Sequence, residues 1–174
     1  MIMTKYKFTP LDFYNYILLY DLRFSEQNRI IEDFFRFHNS ELASAYRNNL
    51  KLLRKEINNI KICNTAIDGE LNEIAIILNE LKVKYKFGPQ KDDYLFADYF
   101  KMVKLQLLYS DITYKKVKLR TILTKFGYKK RTEQVRKDLI NAIKNLGLHP
   151  YLSKRAECEI TKVPLDSIIS FRLQ

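Results

Sequence analysis

The chain has 174 residues, with 31 Lys+Arg against 20 Asp+Glu, two His, two Cys and no Trp. That length holds one or two small domains with a sizeable core, and 47% apolar with 29% charged residues excludes a disordered tail. Four Gly and four Pro exclude collagen-like or linker-rich chains and speak against a turn-dense all-β fold, whereas the net charge of +11 is far from ordinary.

Taken in chain order, MIMTKYKFTPLDF lacks the basic start, apolar run and small-residue cleavage site of a signal peptide. Thr9-Pro10-Leu11-Asp12 is a strong helix start, with Thr at the N-cap, Pro at the first helical position and an acid in the first turn. Leu11, Tyr14, Ile17, Leu18 and Leu22 follow at helical spacing. The most apolar stretch, Phe13 to Leu22, is shorter than the roughly 20 residues that span a bilayer, and it contains Asn15 and Asp21. No membrane partner and a cytoplasmic location are therefore expected, with Cys63 and Cys158 as separate thiols in a reducing compartment.

Ser25 or Glu26 opens a second helix carrying Ile30, Ile31, Phe34 and Phe35 and ending near His38-Asn39. Ser40 caps a third, in which Leu42, Tyr46, Leu50, Leu53, Ile57 and Ile60 form one stripe suited to bundle packing. Asp68-Gly69-Glu70 starts a fourth, with Leu71, Ile74, Ala75, Leu78 and Leu81 on one face. Periodicity is lost over residues 82–93, KVKYKFGPQKDD, and Gly88-Pro89 marks a domain boundary there. Residues 1–88 then read as a helical interaction or dimerisation domain, and residues 93–174 as a second domain.

From Asp93 a long helix is apolar around most of its circumference. In VKLRTILTKFG, the residues Leu119, Ile122, Leu123 and Phe126 predict a short helix that stops at Gly127. After the turn Gly127-Tyr128-Lys129-Lys130-Arg131, Thr132 caps a helix over 133–146, which Gly147 terminates. Val135, Leu139, Ala142, Ile143 and Leu146 form its buried face, leaving Gln134, Lys137, Asn141 and Lys144 outside. Two segments of strand character follow, Cys158–Val163 and Ile168–Leu173, separated by the turn Pro164-Leu165-Asp166-Ser167.

The charge is as uneven as the pattern. Residues 1–100 hold 14 basic and 14 acidic groups; residues 101–174 hold 17 basic and 6 acidic groups, which accounts for the whole +11. One module meeting a polyanion is the expectation from so sharp an asymmetry. Asn and Gln can bond adenine bidentately and Lys can reach guanine acceptors, so Gln134, Lys137, Asn141 and Lys144 are candidate base readers. Lys129, Lys130, Arg131 and Arg136 suit phosphates, as do Lys154, Arg155, Lys162 and Arg172 farther on. Tyr85, Phe87, Tyr94, Tyr99, Tyr114 and Tyr128 lie among basic residues and could stack on unpaired bases, Tyr128 foremost, although Tyr packed at the rim of a helical core is the simpler account.

The stretch from about Lys118 to Leu173, carrying KFGYKKRTEQVRKDLINAIKNLGL and a hairpin, resembles a winged helix-turn-helix module. It is similar to the C-terminal DNA-binding appendages of prokaryotic mobile-element and phage-defence proteins. The resemblance implies a basic group after FGY (Lys129, Lys130 and Arg131), a basic second helix, and LGL leading into a wing. The expected fold is thus mostly α: an N-terminal helical bundle followed by a winged helix-turn-helix with a small β-hairpin. The implied function is nucleic-acid binding, with DNA favoured over RNA, by a homodimer or within a larger protein complex formed through residues 1–88. The alternative is an interaction subunit or inhibitor that turns its basic face on a protein or nucleoprotein partner.

No catalytic set is legible, and neither a metal nor a cofactor is expected. Glu157, Glu159, Lys162 and Asp166 lack the acid and Glu-x-Lys spacing of a metal-dependent nuclease, because Glu159 and Lys162 would fall on opposite sides of a strand. Asp68, Glu70 and Glu73 read as helix-start residues, and His38 and His149 stand alone. A Gly-rich phosphate loop is absent from the sequence.

Overall fold

The computed structural model describes residues 6–65, 92–152 and 156–173. The fold is mostly helical, with a small three-stranded antiparallel sheet toward the C-terminus. It divides into two units, Lys7–Gln90 and a second made of Met1–Tyr6 with Lys91–Gln174. Among the described residues no helix is long and apolar enough to cross a membrane.

The first unit begins with α1 (Pro10–Leu19) and α2 (Phe24–Asp33). The Asp12 carboxylate accepts from the Thr9 N–H at 2.8 Å, satisfying a donor that the helix start would otherwise orphan. Arg23 stands before α2, and Glu26 accepts its N–H at 3.0 Å. A short π-helical turn over Phe34–His38 extends α2 and carries Phe34 and Phe35 into the core. Phe8, Phe13 and Phe34 meet there with ring centroids 4.6–6.3 Å apart.

The expected single helix from Ser40 to Ile60 is two: α3 (Ser40–Ala45) and α4 (Leu50–Thr65). Arg47 and Asn48 take left-handed backbone at φ 53° and 54°, which no continuing helix allows. Asn39, not Ser40, caps α3, its side chain accepting from Leu42 N–H at 2.8 Å. The apolar stripe nevertheless survives the break: Leu42, Leu53, Ile57 and Ile60 are all buried, and α4 packs on α1. The expected helix from Asp68 and the Gly88-Pro89 boundary lie outside the described residues, as do Glu70 and Glu73.

The second unit runs α5 (Asp92–Tyr109), β1 (Lys115–Lys118), α6 (Leu119–Lys125), α7 (Glu133–Asn145), β2 (Leu148–Tyr151) and β3 (Ile168–Leu173). The sheet order is β1-β3-β2, with Val117 opposite Ile169 and Pro150 opposite Phe171. Phe96, Phe100 and Leu105 of α5, Leu119, Ile122 and Leu123 of α6, Leu139 of α7 and Phe171 of β3 are almost fully buried and form one core. Within it, Phe100 and Phe171 meet edge to face at 5.1 Å.

Of the two strands expected from sequence, Ile168–Leu173 is present as β3 and the other needs correction. Cys158–Val163 is not a strand: Lys162 N–H donates to the Glu159 carbonyl at 2.9 Å, closing a turn that buries Ile160 and Val163. β3 pairs instead with β2, Leu-His-Pro-Tyr, and with β1, Lys115–Lys118, two strands for which the sequence carries no expectation. Proline is admissible in β2 because this is an edge strand. The Pro150 carbonyl accepts from Cys158 N–H at 2.9 Å on the side away from β3, so the missing N–H removes no ladder bond.

Burial, together with the nearby Asp138 carboxylate, pushes the Tyr6 phenol up to about 12. An unfolded tyrosine ionises near about 10, so the folded state keeps its proton longer. This stabilisation is complete below about pH 10 and is lost as pH rises toward 12. Tyr6→Phe is expected to flatten that alkaline decline. Urea melts on either side of about pH 10 check it, and equal declines in both proteins would refute the assignment.

Candidate nucleic-acid interface

α6 and α7 are joined by a turn whose geometry follows from its residues. Gly127 adopts φ +79°, and the N–H groups of Gly127 and Tyr128 donate back to the Thr124 and Leu123 carbonyls, each at 3.0 Å. This closure satisfies carbonyls that α6 would otherwise leave open, and it suits glycine because a side chain is strained at positive φ. Thr132 Oγ1 then accepts from Val135 N–H at 3.3 Å and starts α7. Val135, Leu139, Ala142 and Ile143 face the core, as does Leu146 just beyond the helix, while Lys137, Asn141 and Lys144 are exposed.

The candidate residues separate into three groups by what they touch. Lys129, Lys130, Lys137 and Lys144 are exposed, and none has an ion-pair partner among the described residues. Asn141 is likewise exposed, and its side-chain amide makes no hydrogen bond among the described residues.

Gln134 and Arg136 are exposed but engaged. Gln134 Nε2 donates to Asp138 at 2.8 Å, and Arg136 lies 3.8 Å from Glu133.

Arg131 and Tyr128 face inward. Arg131 Nη1 donates to the carbonyls of Ile160 and Val163 at 2.7 and 2.8 Å, tying the inter-helix turn to the loop before β3. Burial pushes its pKa down, with the neighbouring Arg136 charge adding to the effect. The Tyr128 ring stacks on Phe96 at 5.8 Å with 13° between planes, so one ring face is already used by the core. Beside the turn is a cleft of about 330 Å³, lined by Arg120, Thr124, Gly127, Tyr128 and Lys129 among others. Lys154 and Arg155 lie outside the described residues.

The loop leading to β3 is pinned at a second point. Arg120 grips Asp166 with two bonds of 2.6 and 2.7 Å, holding the Asp166 carboxyl below the usual carboxylate range. Lys162 and Thr161 do the same to Glu159, and Glu157 meets His149 Nδ1 at 3.1 Å. Each of these acids therefore has a protein partner, and no group of three or more metal-ligating residues occurs among the described ones.

Sequence reading singled out Tyr114 as an aromatic among lysines but missed the strand that places it in one outward set with Lys116 and Lys118. The signal was alternation in YKKVK, which the helix-like pattern of the following residues obscured. No family model, curated protein or solved structure matches the chain.

Proposed function

We propose that residues 92–173 form a winged helix-turn-helix that binds duplex DNA, with α7 as the helix presented to the major groove. The observation that carries this reading is the outward face of α7. It exposes Gln134, Arg136, Lys137, Asn141 and Lys144, and Glu133 at its first turn is the only exposed acid on the helix, since Asp138 is buried. Helix-turn-helix modules use such a face for base edges, while a basic turn beside it meets phosphates. The order of elements from α5 to β3 and the β1-β3-β2 sheet support the same reading. Lys129 and Lys130 are the phosphate contacts, and Asn141, with its free amide, is the first candidate for adenine. Residues 7–65 supply protein contacts in this proposal, because Leu18, Leu19, Phe24 and Phe37 are each at least 60% exposed there. The cytoplasm is the expected setting, and the half-buried Cys158 is a free thiol.

Fluorescence anisotropy on a random duplex of two helical turns tests the proposal across a salt series. Affinity should fall steeply with salt, and the Lys129→Ala, Lys130→Ala double variant should lower the logarithmic slope by about two, one per lost phosphate contact. Salt-independent binding, or an unchanged slope in the double variant, would remove duplex DNA as the ligand. The basic face would then be assigned to a protein partner.

A further inference from the structure

We infer that the outer face of the β1-β3-β2 sheet is a second binding surface, and that it takes an unpaired nucleic-acid strand. Strand alternation turns Ile169 and Phe171 inward, with Phe171 against Phe100 of α5, and turns Ile168, Ser170 and Arg172 outward. The register carries the outward set across the sheet to Lys116 and Lys118 on β1 and to His149 and Tyr151 on β2. Tyr114, the residue before β1, closes the row beside Arg172.

The Arg172 guanidinium carbon lies 5.7 Å from the Tyr114 ring centroid and 5.2 Å from that of Tyr151. The Lys116 ammonium lies 5.0 Å from the Tyr114 centroid. Rings and cations thus form a continuous ladder, and Tyr114 remains 40% exposed.

Its charge is mainly positive. Arg172, Lys116 and Lys118 form no ion pair among the described residues, while the two acids nearby, Glu157 and Asp166, are bonded to His149 and Arg120. A polyanion is the complement of such a face. The rings narrow the choice further: a duplex hides its base faces in its own stack, whereas an unpaired strand offers them to tyrosine and guanidinium planes while its phosphates meet lysine. An acidic peptide would satisfy the lysines but make no use of the exposed part of the Tyr114 ring. Tyr114 and Lys116, the residues changed in the test, are assigned no contact with the duplex, so this surface and the duplex proposal succeed or fail separately.

The test uses the full chain, fluorescein-labelled oligothymidine and a duplex of equal length. Tyr114→Ala should weaken oligothymidine binding by about tenfold, the loss of one stacked base, and leave duplex affinity unchanged. Tyr114→Phe should bind as the native protein does. Lys116→Glu, at an exposed position, should also weaken the single strand, so the inference stays testable if Tyr114→Ala folds poorly. Lys137→Ala should affect only the duplex. No single-strand affinity in the native protein, or oligothymidine binding unaltered by both Tyr114→Ala and Lys116→Glu, would overturn the inference. So would displacement of oligothymidine by polyglutamate with no sensitivity to Tyr114→Ala.

Discussion

Leu139→Ala is expected to lower the unfolding free energy by about 2–5 kcal/mol. Leu139 is fully buried on the inner face of α7, which packs on α5. Truncation removes apolar transfer energy and leaves a cavity that close-packed neighbours fill only in part. Lys137 lies two residues away on the exposed face, and Lys137→Ala should stay within about 0.5 kcal/mol. Chemical denaturation of the two variants checks the orientation of the helix. Equal losses would mean that α7 presents a different face to the core.

Arg131→Ala should cost about 1–3 kcal/mol, because two carbonyls of buried residues lose their shared donor. Lys130→Ala, one position earlier and exposed, should leave the melting transition in place. The contrast separates neighbouring basic residues that look equivalent in sequence. Arg131 anchors the loop before β3, whereas Lys130 is available to a ligand. If Arg131→Ala melts like the native protein, the tether is not a stability element, and Arg131 rejoins the phosphate-binding group.

How far sequence reading reaches depends on whether the deciding interactions are local. α7 is legible because its signals are all within one helix: a Thr cap, a 3.6-residue apolar period and a terminal Gly. The break at Arg47-Asn48 is less so, since the apolar stripe continues through it and only the Asn pair hints at left-handed backbone. β2 is hidden by Pro150, which reads as a strand breaker until its edge position is known. Cys158–Val163 has the residue types of a strand, yet its Ile and Val are buried by a turn pinned through Arg131, 29 residues from Ile160. The same holds at the candidate interface. Exposure of Lys137, Asn141 and Lys144 follows from periodicity, but the capture of Gln134 by Asp138 and the stacking of Tyr128 on Phe96 depend on tertiary placement.

Pro150 bears on crowding as well as on pairing. A three-stranded sheet has two rims, and an open rim is a template on which strands of other molecules can grow. On the β2 side, Pro150 offers no N–H and its carbonyl is taken by Cys158, while Leu152 N–H donates to the Ala156 carbonyl at 3.0 Å. On the β1 side, Lys115, Lys116 and Lys118 crowd three like charges into four residues, which penalises an identical strand drawn alongside. Both rims are therefore poorer templates for a fourth strand than a bare, uncharged edge of the same length would be.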